Sequence, residues 1–186
     1  MNESSAGTAE HPVTVDRAGM WDAETLSDVA AATFPLACPP DLAEGDIAAF
    51  VTETLSGDRF GDYLNDPGRI VLKAVSGDEI VGYAMLVAGA PADTGLAAAV
   101  DLDPAMELSK IYVLPGHHGG EVSTALMRAA IEHARGYGAV GVWLGVNEGN
   151  ARAQRFYGKH GFEKVGTRTF TVGSRVCDDF VLRRVL

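Results

Sequence analysis

The chain has 186 residues, 47% hydrophobic and 22% charged, with two cysteines and a formal net charge of −10. That length suits one domain with a substantial core, and the composition excludes wholesale disorder. It also speaks against a membrane-spanning helix, a disulfide framework and nucleic acid as a favoured partner, and the default compartment is a reducing cytoplasm.

Residues 1–11 lack the basic and apolar regions of a signal peptide and read as a flexible tail. The rest, 12 to 186, reads as a single domain. It opens with a predicted strand at 13–18. Apolar spacing predicts a helix over 21–34, ended by the proline-rich segment after Phe34. A second helix is predicted over 45–56 with Asp46 as its cap, and a short third over 58–65, stopped by Asp66-Pro67. Residues 69–75 and 80–89 alternate like the arms of a β-hairpin across a Ser-Gly-Asp-Glu turn. The small-residue stretch 90–104 reads as a loop. The next strand, "AMELSKIYV", closes at Pro115, and helical spacing covers 119–137. A strand is predicted over 139–146, with Val140, Val142, Leu144 and Val146 on one face. A helix over 150–160 has Asn150 as N-cap and Gly161 just past its end, and a final hairpin turns at Gly173-Ser174. The order predicts an α/β fold, a mixed central sheet flanked by helices, with a parallel strand–helix–strand unit at 105–146.

Charge is unevenly spread. Residues up to 104 carry four basic and 18 acidic side chains, whereas the remainder carries 11 basic and seven acidic. An acidic half suits a cationic acceptor and a basic half suits an anionic donor, though acidic helix faces also serve solubility.

Two segments carry the chemistry. In "IYVLPGHHGGEVSTALM" (111–127) a strand runs through glycines into a helix. Unpaired amides at a helix start carry partial positive charge, and glycine lets an anion approach the backbone closely. About 30 residues later, Asn150, Ala153, Tyr157 and Gly161-Phe162 form an N-x-x-A-x-x-x-Y-x-x-x-G-F pattern. Together, in this order, the two segments resemble the GNAT superfamily of acyl-CoA-dependent N-acyltransferases. The resemblance covers about residues 69–186 and extends, more loosely, to a branch containing bacterial spermidine/spermine acetyltransferases.

The resemblance implies a GNAT fold, with a sheet of about seven strands splayed between the fourth and fifth. It implies acetyl-CoA as co-substrate, with pantetheine against the backbone of Ile111, Tyr112 and Val113. His118 stands where relatives carry Gln or Arg. The amides of Gly119, Gly120, Glu121, Val122, Ser123 and Thr124 would hold the pyrophosphate, with Asn150 and Ala153 also at the cofactor. Tyr157 would be the general acid at the thioester sulfur, and Glu107, opening the strand, a candidate base. Asp101 and Asp103 either gather a cationic acceptor or merely solubilise a loop. Adjacent His117 and His118 lack ligand spacing, so no metal site is expected. Arg152, Arg155 and Lys159 read as a solvated helix face. Glu121 departs from the superfamily, which has glycine there: it either points to solvent or crowds the pyrophosphate.

These features predict an acetyl-CoA-dependent N-acetyltransferase acting on a small-molecule amine such as a polyamine. The alternatives are a catalytically weak CoA sensor or partner-binding module, and a protein N-terminal or lysine acetyltransferase. Dimers are common in the superfamily, so a homodimer is compatible with the resemblance.

Overall fold

A computed structural model of the chain describes residues 11–117 and 120–186. The elements run β1 (Val13–Arg17), a single 3₁₀ turn (Met20–Asp22), α1 (Ala23–Ala37), α2 (Glu44–Thr54) and α3 (Gly57–Asn65). Then come β2 (Arg69–Ser76), β3 (Glu79–Ala88), α4 (Thr94–Val100), β4 (Ala105–Val113) and α5 (Glu121–Tyr137). The chain ends with β5 (Gly141–Asn147), α6 (Ala151–Lys159), β6 (Glu163–Val172) and β7 (Arg175–Val185). Seven strands form one mixed sheet in the order β1-β2-β3-β4-β5-β7-β6. Every neighbouring pair is antiparallel except β4 and β5, which are parallel, as the strand–helix–strand unit requires. Among the described residues, no helix is long and apolar enough to cross a membrane.

The two sheet faces bury different cores. On one, Val122, Leu126, Met127 and Ala130 of α5 pack against Leu72, Leu86, Met106, Leu108 and Leu144. On the other, Leu26, Val29 and Phe34 of α1 join Phe60 of α3 over Val71, Tyr83 and Met85. Side chains as completely buried as Leu126 and Leu26 each contribute about 2 kcal/mol from removal of apolar area from water. An ion pair fixes the start of the chain to the sheet: Lys73 Nζ lies 2.9 Å from Asp22 Oδ2.

Several local expectations are corrected. α1 does not end at Phe34 but carries Pro35 within its last turn and runs to Ala37. Proline there costs one ladder bond near a helix end, and the buried Phe34 ring, stacked on Phe50, anchors the turn. Asp46 does not cap α2, whose N-cap is Ala43; its carboxylate instead accepts a hydrogen bond from Ser174 Oγ at 3.1 Å. The 90–104 stretch is not all loop. Asp93 Oδ1 accepts from Leu96 N at 2.7 Å and starts α4, which ends at Asp101 in the left-handed region. Val140 precedes β5 and is exposed, so only Val142, Leu144 and Val146 face the core.

Candidate active site

The parallel pairing of β4 with β5 covers only Ala105–Glu107 against Gly141–Trp143. Beyond it β5 stays with β7 as far as Asn147↔Asp179, while β4 stays with β3 as far as Val113↔Gly82. The strands therefore part, and a cleft of about 660 Å³ opens at the parting. α5 begins at one wall, where Gly120 has φ 93°, a backbone conformation that favours glycine. α6 forms another wall, capped by Asn150 Oδ1 accepting from Ala153 N at 3.1 Å.

The structure brings most of the predicted residues to this cleft. Ile111, Tyr112 and Val113 line it from β4, Gly120 and Ser123 from α5, and Asn150, Ala153 and Tyr157 from α6. Glu121 is exposed in the first turn of α5, and its neighbours Gly120 and Ser123 line the cleft. Val122 turns its side chain into the core. Thr124 is corrected: its amide donates to Gly120 O at 2.9 Å, closing the first helical turn, so it is not free for a phosphate. His118 and Gly119 lie outside the described residues. Asp101 and Asp103 are exposed and do not reach the cleft, whereas Arg152, Arg155 and Lys159, expected on a solvated face, line it while staying largely open to water.

A β-bulge organises the opposite end. Leu86 registers with Leu108 and Met85 with Lys110, so Ser109 has no partner in β3. The extra residue re-aims the side chains beyond it. Leu108 and Ile111 stay with the α5-side core, while Tyr112 joins the α1-side core. Lys110 shares that second face. Glu107, half-buried and lining the cleft, pairs with Arg168 of β6, with Nη1 3.4 Å from Oε1. On the other side of Arg168 lies the buried Asp179 of β7, 3.6 Å from Nε. That distance is too long for a hydrogen bond, so Nε is buried without one. Desolvation pushes the Asp179 carboxyl above its usual range despite Arg168. An aromatic wall completes this end: Phe34 stacks on Phe50 at 4.5 Å, and Phe50 meets Phe170 edge-on at 5.9 Å.

Comparison with known proteins agrees with this geometry. The acetyltransferase (GNAT) family pattern matches residues 32–162, well over half of the chain. The chain belongs to the GNAT acetyltransferase family. An uncharacterized N-acetyltransferase of Mycobacterium tuberculosis is 49% identical over 167 residues, covering 90% of this chain and 99% of that protein. A streptothricin acetyltransferase of Streptomyces lavendulae is 33% identical over 107 residues, covering 56% of this chain and 57% of that protein. Among solved structures, a PaiA N-acetyltransferase of Thermoplasma acidophilum in complex with coenzyme A superposes with TM-score 0.74 at 18% identity. That superposition covers 94% of this chain and 99% of the other, and it shows a shared fold.

As a GNAT protein the chain is an N-acetyltransferase, and acetyl-CoA is its acetyl donor. The residues at the splay fit that donor. Amides at the start of α5 suit a pyrophosphate, and Arg152, Arg155 and Lys159 add cations along the same cleft. Tyr157 is half-buried between Phe156 and Phe162, with ring centroids 5.5 and 5.9 Å away. Desolvation, with a smaller contribution from Tyr112, raises its phenol above the ordinary range, so it stays protonated and can donate to a leaving thiolate. Sequence reasoning missed Lys110, Arg168 and Asp179. The signal for Lys110 was its place in the same strand as Glu107, but its direction depends on the bulge.

Proposed function

We propose that the chain transfers the acetyl group of acetyl-CoA to the primary amine of a small molecule by direct attack. The observation that carries this reading is the convergence of Glu107, Tyr157 and the stretch of β4 past its ladder with β5 on one cleft. The amine nitrogen attacks the thioester carbonyl carbon, the carbon–sulfur bond breaks, and the amine surrenders one proton. Glu107 first takes the extra proton of the ammonium form, since only a neutral amine is nucleophilic, and the proton released on attack balances the one the thiolate takes up. A backbone amide of the bulged segment steadies the developing oxyanion. Tyr157 gives a hydrogen bond to the departing thiolate, which finally takes up a proton. Asn150 and the first amides of α5 hold the donor.

The acidic first half of the chain suggested a polyamine acceptor. Of the described residues lining the cleft, however, only Glu107 and Asp179 are acidic, and both flank Arg168. This composition favours a small amine with one cationic centre over an extended polycation. Residues 12–186 act as one domain in this reading. The free thiols of Cys38 and Cys177 suit the cytoplasm. The test is release of CoA from acetyl-CoA in the presence of a panel of primary amines that includes spermidine. Amine-dependent release with an N-acetylated product supports the reading, and hydrolysis without such a product sinks it.

A further inference from the structure

The cleft contains a half-buried cation, Lys110, that neither an ion pair among the described residues nor the mechanism engages. Lys110 lines the acceptor end, on the face of β4 that carries Tyr112 and looks towards α1. Its neighbours are already committed: Arg69 pairs with Asp66 at 3.1 Å, and Arg168 lies between Glu107 and Asp179. Among the described residues, no carboxylate lies within ion-pair distance of Lys110, and its Nζ has one hydrogen-bond contact, Ser109 Oγ at 3.4 Å. Desolvation pushes the ammonium down to about 8, although Glu107 pulls the other way. An ammonium buried without a counter-ion is costly, and a bound anion relieves that cost.

We propose that Lys110 is the carboxylate anchor of the acceptor site, so that the acceptors are amino acids or other amines bearing a carboxylate and an apolar body. The proposal rests on the acetyl-transfer reading above. One unpaired lysine matches the single charge of a carboxylate better than the near-double charge of a phosphate monoester. The pyrophosphate of the donor belongs at the start of α5, whose core lies on the other sheet face, so it is not the missing counter-ion. Glu107 is placed for the amine of such an acceptor. The rings of Phe34, Phe50 and Phe170 supply an apolar surface for its side chain. Carboxylate, amine and apolar body thus each have a counterpart in one chamber.

The experiment compares acid and amine partners that differ only in the carboxylate: L-phenylalanine with 2-phenylethylamine, and L-leucine with isopentylamine. kcat/KM is measured by CoA release with the wild type, Lys110→Met and Lys110→Arg. The wild type should prefer each acid by at least about tenfold, as a desolvated charge pair allows. Lys110→Met should bring the ratio near one through KM, and Lys110→Arg should restore much of it. A second arm needs no turnover: calorimetric binding of N-acetyl-L-phenylalanine should weaken about tenfold in Lys110→Met, whereas N-acetyl-2-phenylethylamine should not discriminate the two proteins. Equal or reversed preference in the wild type overturns the proposal. So does a kcat loss of equal size on acids and amines in Lys110→Met, which would make the lysine a proton acceptor. Absence of binding by every acid and N-acetyl acid also overturns it. If acetyl-CoA fails to bind, the acetyl-transfer reading falls, and the N-acetyl ligands still decide the role of Lys110.

Discussion

If Lys110 is held without a counter-ion until an acceptor arrives, removing its charge should stabilise the unliganded protein. In the fold its pKa lies at about 8, against an ordinary value of 10.5. The charged form is therefore disfavoured by folding. The cost is present in full below pH 8, shrinks as the unfolded chain alone holds the proton between about 8 and 10.5, and is gone above that window. The distance between the two values corresponds to about 3 kcal/mol. The residue keeps some solvent contact, and screening leaves about 2 kcal/mol of that cost. Methionine retains most of the aliphatic stem and buries no charge. For 186 residues, Lys110→Met should then raise Tm by about 4–8 °C at pH 7. The assay is calorimetric unfolding of both proteins at pH 7 and pH 10.5, without ligands. The gain should be largest at pH 7 and near zero at pH 10.5. A variant that melts at or below the wild type at pH 7, or a gain independent of pH, would refute the reasoning and show that the ammonium is already compensated.

Tyr157→Phe removes the donor to the leaving thiolate but keeps the ring between Phe156 and Phe162. kcat should fall by about 10²–10⁴ with acetyl-CoA affinity nearly unchanged by calorimetry, and equal losses in both would make the tyrosine structural. Glu107→Gln should flatten the low-pH limb of the kcat–pH profile and lower turnover most at neutral pH. An unchanged profile would remove Glu107 as the base and direct attention to Asp179, the other carboxylate beside Arg168.

The outline of the fold was legible because its signals are local. Period-two alternation marked the hairpins, helical spacing marked α1, α5 and α6, and Asn150 announced its own cap. Where local rules failed, a competing interaction explains it. Pro35 is tolerated because Phe34 is anchored on Phe50, and Asp46 is drawn to Ser174 across the chain. α4 was hidden by its small side chains, although Asp93 was a readable cap. The two motifs pointed to residues that the structure places on the cleft, Gly120, Ser123, Asn150, Ala153 and Tyr157. The acceptor end was not readable, because it is assembled from β4, β6, β7, α1 and α2 by contacts between distant positions. Lys110 shares the sheet face of Tyr112 only because Ser109 bulges, and that bulge is a property of the register with β3. Arg168 gave no sign in the sequence that Glu107 and Asp179 would meet on it. Glu121 is exposed at the start of α5 while Gly120 and Ser123 line the cleft, and the titration below tests which way its carboxylate acts.

The central claim, that the splay between β4 and β5 is a working donor site, is tested most directly by isothermal titration of acetyl-CoA into wild type and Glu121→Gly. With the carboxylate of Glu121 turned to solvent, wild type should bind at micromolar concentration, and the two dissociation constants should agree within about twofold. No binding by wild type, restored in the glycine variant, would contradict the account and show that Glu121 closes the site.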